Sequence, residues 1–94
     1  MREAIDAVTS YVEREFPGAS IMDLRDFDRS AHTWSIQTNG AVLLLTVSFE
    51  FLRDTPTDQI EPFLRRWDTP SLLRTEGATS RVLVTRDGVQ ITGR

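Results

Sequence analysis

His32 is the chain's one histidine, and general acid–base chemistry would look to it first, because an unperturbed imidazole changes charge close to neutral pH. It lies in the run Ala31-His32-Thr33-Trp34-Ser35-Ile36, where two-residue alternation puts it on the face of Trp34 and Ile36. There it reads as a half-buried packing residue, and the sequence fixes no nucleophile or orienting carboxylate beside it. Asp23, Asp26 and Asp28 raise the prospect of a cation site. A calcium loop counted from Asp26 needs glycine at its sixth position and glutamate at its twelfth, and those places hold Ala31 and Gln37. The carboxylates read as solvated groups around a turn, so no metal or cofactor is expected and no catalytic residue is assigned. An enzyme made from this chain would be a small hydrolytic or ligand-binding one using carboxylates and His32.

What is missing narrows the chemistry further. The chain has no cysteine, and all 11 of its basic residues are arginine. Thiolate nucleophiles, disulfides and cysteine zinc sites are excluded, as are Schiff bases and the phosphate-binding lysine of nucleotide loops, which require a primary amine. The net charge of −3 hides an asymmetry: residues 1–62 carry five Arg against eleven acids, and residues 63–94 six Arg against three. Within the basic third, Arg65, Arg66, Arg74, Arg81 and Arg86 could form an anion-binding surface around Trp67. Trp67 falls on the helical stripe of Ile60, Phe63 and Leu64, which gives it to the core. Non-specific affinity for nucleic acid comes mainly from neutralising phosphates, so the acidic whole makes a nucleic-acid partner the lesser expectation.

A chain of 94 residues supports one core, so a single domain over 1–94 is expected. The longest apolar stretch, Ala41 to Leu45, is far short of a membrane span, and Glu3 and Asp6 stand where a secretion signal would be basic and then apolar. The expectation is a cytoplasmic protein without membrane contact.

Residues 2–16 place Ala4, Ile5, Val8, Tyr11, Val12 and Phe16 at helical spacing, and Pro17-Gly18 stops the helix. Residues 19–27 form a strand, with Met22 and Leu24 on one face and Ile21 and Phe27 on the other. Asn39-Gly40 between two β-rich runs predicts a type I′ hairpin joining residues 31–38 to 41–51. That turn pairs Thr38 with Ala41, Ile36 with Leu43, Trp34 with Leu45 and His32 with Val47, and puts these core-facing residues and Phe49 under the helices. Thr55-Pro56-Thr57-Asp58 and Asp68-Thr69-Pro70-Ser71 open two helices, the first becoming regular only near Asp58–Glu61 because Pro62 belongs in a first turn. Asp87-Gly88 turns a last hairpin that sets Val84 opposite Ile91.

The order is α-β-β-β-α-α-β-β, an α+β fold with a mostly antiparallel five-stranded sheet and its helices on one face. The first five elements share the order of double-stranded RNA-binding domains. The second helix of those domains opens on lysines, whereas here it opens on the acidic run Thr55 to Glu61. The full order resembles the α-β-β-β-α-β-β arrangement of type III secretion chaperones, acidic dimers that hold unfolded effectors; no segment matches their closing helix, and the likeness is one of topology.

One irregularity points to function. Val42 and Leu44 alternate away from the core face, as does Leu83, and together they form an apolar patch on the back of the sheet. The expected role is therefore a non-enzymatic protein-interaction domain that binds a protein partner or associates with itself as a weak homodimer through Val42, Leu44 and Leu83.

Overall fold

A computed structural model describes residues 1–94. Helix α1 (Arg2–Glu15) buries Ala4, Val8, Tyr11 and Val12, the stripe its spacing dictates. Gly18, at φ 83°, turns the chain into β1 (Ser20–Asp26), and a 3-10 turn over Phe27–Arg29 leads to β2 (Ala31–Thr38) and β3 (Ala41–Ser48). Helices α2 (Phe49–Asp54), α3 (Thr57–Arg66) and α4 (Thr69–Glu76) follow, then β4 (Arg81–Thr85) and β5 (Gly88–Thr92).

The five strands lie side by side in chain order. Every neighbouring pair is antiparallel except β3 and β4, which run parallel across the three-helix connection. The fold is thus α+β with a mostly antiparallel sheet, and the central hairpin has the register expected from its turn. Thr38 pairs with Ala41, Trp34 with Leu45 and His32 with Val47, while Asn39 and Gly40 both take positive φ. One core holds Trp34, Ile36, Leu43, Leu45, Val47, Val82 and Val84 from the sheet against Val8, Val12, Phe51, Leu52, Ile60, Leu64 and Leu73 from the helices. The Trp34 indole donates to Thr9 Oγ1 at 2.9 Å, so its one polar atom is satisfied inside that core.

Five details differ from the reading of the sequence. Strand β3 ends at Ser48 rather than Phe51, because the Ser48 hydroxyl accepts from the Phe51 backbone N–H at 3.1 Å and starts α2. Phe49 therefore leaves the sheet face as the first residue of a helix. Phe27 lies beyond β1, 74% exposed, packed edge-on against Phe49. Pro62 sits inside α3 past its first turn, which leaves the Asp58 carbonyl without its helical donor.

The last hairpin has its register offset by two residues, its two-residue turn lying one residue earlier in the chain. Arg86 and Asp87 form the turn, and Val84 faces Val89 while Val82 faces Ile91. A two-residue shift keeps every side chain on its face. The turn leaves Gly88 at the start of β5 with φ 133°, where a Cβ would stand 2.7 Å from the Trp67 ring. Trp67 is accordingly no core residue: 42% exposed, it caps α3 and covers that glycine.

Candidate protein-interaction face

With the helices on one side, strand alternation and pairing fix what the other side presents. One row across the sheet reads Met22, Ser35, Leu44, Arg81, Thr92, and the next Leu24, Thr33, Thr46, Leu83, Gln90. Val42 stands in the row before, beside Gln37. The expected patch residues Val42, Leu44 and Leu83 thus share the open face, and β1 adds Met22 and Leu24. Met22 is 71% exposed, Leu24 58% and Val42 40%, with Leu44 and Leu83 half-buried. The alternation of β1 placed Met22 and Leu24 together, but only the pairing of β1 with β2 shows on which face.

Arg81 occupies the middle of this face. It is only 8% exposed, and it lies over Thr46, which it helps seal from water. Its Nη1 donates to Thr46 Oγ1 at 2.6 Å and, more weakly, to Thr33 Oγ1 at 3.4 Å. The two threonine hydroxyls are themselves 2.9 Å apart. Arg81 Nε is buried with no partner. No carboxylate forms an ion pair with this guanidinium; the nearby Asp26 is committed to Arg29 at 2.9 Å. Burial pushes the Arg81 pKa down, repulsion from Arg29 adds to the effect, Asp26 opposes it and Arg94 reinforces it. The hydrogen bond from Arg29 holds Asp26 below the usual carboxylate range. Nothing in one sequence marks Arg81 off from the other arginines, since its burial arises from the parallel pairing of β4 beside β3.

The five arginines of the basic third do not converge. Arg65 pairs with Glu61 on its own helix. Arg74 donates to the Glu15 carbonyl and lies 4.8 Å over the Phe16 ring. Arg86 reaches Glu50 and Asp54. Arg66 is exposed on α3, and Arg81 is on the opposite side of the sheet.

His32 has an orienting carboxylate that the sequence did not disclose: Asp23 Oδ1 is 2.7 Å from its Nε2. His32 pairs across the strands with Arg25, so Asp23 is its diagonal neighbour, a relation visible only once the register is known. The imidazole is 6% exposed and packs 4.7 Å from the Trp34 ring. It borders an open cleft of about 530 Å3 with Arg2, Asp6, Thr9 and Arg25. One ring nitrogen is held by Asp23 and the other, Nδ1, is buried. The one hydroxyl in the cleft, Thr9 Oγ1, is occupied by the Ile5 carbonyl and the Trp34 indole. Asp23 thus holds one ring nitrogen and the protein encloses the other, so acid–base work would require the ring to give up one of these placements. No group of three or more His, Asp or Glu side chains is gathered closely enough to hold a metal, and no helix is long and apolar enough to cross a membrane.

Fold and face together define a two-layer α+β domain with helices on one side of its sheet and an apolar, arginine-centred surface on the other. Comparison with protein-family models, with curated proteins and with solved structures finds no match to this chain.

Proposed function

We propose that this protein is a non-enzymatic interaction domain that binds another protein across the open face of its sheet. The observation that carries this reading is the uncovered apolar surface of Met22, Leu24, Val42, Leu44 and Leu83, where three of the five side chains are at least 40% exposed. A solvated sheet face normally alternates to polar residues, as β2 does here with Thr33, Ser35 and Gln37, and the apolar side chains exposed on the strands to either side of it mark a contact surface. The His32 cleft has the weaker claim, because its one hydroxyl, Thr9 Oγ1, already carries two hydrogen bonds and leaves the imidazole no free nucleophile of that kind to activate.

The test is a selection of random linear peptides displayed on phage against the intact protein. Binders are expected whose capture is lost in Leu44→Asp and Leu24→Asp and retained in Glu13→Gln, on the helix side. Binders indifferent to both open-face substitutions, or none at all, would overturn the proposal.

A further inference from the structure

The open face is apolar at its flanks and charged at its centre, and that combination specifies what it binds. A guanidinium removed from water normally has a carboxylate beside it, because the desolvation cost is otherwise uncompensated. Arg81 has two threonine hydroxyls on Nη1, an unpartnered Nε enclosed by the protein itself, and an Nη2 that has no hydrogen bond and is not enclosed in that way. Around it stand Arg29 and Arg94 against the single carboxylate of Asp26, which Arg29 already engages. The centre of the face is therefore positive in a chain whose net charge is −3. We propose that Arg81 is the docking point for a carboxylate of the bound protein, so that the partner is an acidic side chain flanked by aliphatic ones. This inference rests on the open-face reading and deepens it.

Three physical arguments favour that occupant. Thr46 and Thr33 already fix the Arg81 side chain through Nη1, so little rotamer freedom is lost when a carboxylate meets the remaining unpartnered nitrogen, Nη2, in a charge-assisted hydrogen bond. Leu44 lies beside Arg81 in the pairing, and Leu83 follows two residues later on the same face. Aliphatic side chains next to the partner's carboxylate would cover these and exclude water, which strengthens the charge interaction. A second copy of the chain presenting the same face would bring the same arginines and no free carboxylate. A nucleic acid would meet aliphatic flanks that offer its phosphates nothing.

The peptides selected on the intact protein provide the test. They are expected to be enriched in Asp or Glu between aliphatic residues. Changing that acid to its amide, or changing Arg81→Met, should each weaken binding roughly ten- to hundredfold, and the two together little more than either alone. Arg81→Lys, which keeps the charge but cannot both hold the threonine hydroxyls and present a second nitrogen in the same plane, should fall between. The amide peptides leave the protein untouched, so the result stands even where an Arg81 variant fails to fold. Binders that require Leu44 yet show no acidic enrichment and ignore Arg81→Met would overturn this inference and leave the open-face reading intact. Loss of all Leu44-dependent binding would overturn that reading itself. Sub-micromolar binding of a labelled oligonucleotide that is abolished by Arg81→Met would assign the arginine to phosphate and overturn the carboxylate.

Discussion

Arg81 makes an unusual combination of contacts for an arginine on a sheet: one nitrogen on a pair of threonine hydroxyls, another buried without a partner, and no carboxylate. In the free protein this is a cost. The direction of its pKa shows that the folded state opposes its charge. A guanidinium stays protonated at any pH where the chain is folded, so titration does not relieve the penalty. Replacing a buried, poorly compensated charge by an apolar side chain of similar length is often neutral or stabilising. Arg81→Met is accordingly expected to melt at or above the temperature of the natural protein while losing acidic binders, because the Thr33–Thr46 hydrogen bond survives. Thermal unfolding followed by circular dichroism checks this. A large drop in melting temperature would mean that the arginine stabilises the sheet and is no binding device. At the His32–Asp23 pair the arrangement is the reverse, since the carboxylate is present and the ring is enclosed.

At the scale of elements, the Asn39-Gly40 hairpin and the helices packed on it carry the fold. Trp34 is fully buried and its indole reaches α1 through Thr9. Trp34→Ala is expected to cost about 3–5 kcal/mol, comparable with the stability of a small domain, so circular dichroism should show a mostly unfolded chain. The β4–β5 turn provides a second check. Gly88 combines φ 133° with a Trp67 ring that leaves no room for a Cβ, so Gly88→Ala should destabilise the protein, and Gly88→Ala with Trp67→Ala should recover only the part due to the clash. Two surface ties respond to acid. Asp26 is held below the usual carboxylate range by Arg29, and Asp54 by Arg53 first and then Arg86. A carboxylate with a lowered folded pKa stabilises at pH above its unfolded value and loses that contribution as the pH falls through the folded one. These ties should therefore persist down to about pH 4, the ordinary carboxylate value, and weaken below it.

For the whole molecule, the question is what happens when two open faces meet. Several aliphatic side chains would be buried, worth a few kcal/mol at about 25 cal/mol per Å2, against association costs of similar or larger size. Each face also brings Arg81, Arg29 and Arg94 towards the same group on its mate. Salt screens that repulsion, with a Debye length of about 10 Å at 0.1 M, and leaves the apolar term in place. Sedimentation should therefore find the chain monomeric at low ionic strength, with a weak dimer appearing as salt is raised, and Leu44→Asp monomeric throughout. A dimer that weakens with salt would show that opposite charges, and not aliphatic contacts between like-charged faces, hold the copies together.

Elements whose signals are local could be read from the residues alone: the α1 stripe, the turn chemistry of Asn39-Gly40 and the two-residue alternation of β2 and β3. The sequence also placed Val42, Leu44 and Leu83 away from the core, because facing along a strand depends on parity alone. It misjudged the end of β3 at Ser48, the two-residue offset of β4 on β5 and the exposure of Trp67. At Ser48 and Trp67 a cap and a packing contact between distant residues outweighed the local pattern. Only the tertiary structure could show the parallel pairing of β3 with β4, since nothing in a strand's sequence names a partner across three helices. That pairing sets Arg81 beside Leu44, lays it over Thr46 and Thr33, and turns an ordinary arginine into the charged centre of an apolar face. The Asp23–His32 contact has the same origin. Both are products of register, which long-range packing decides.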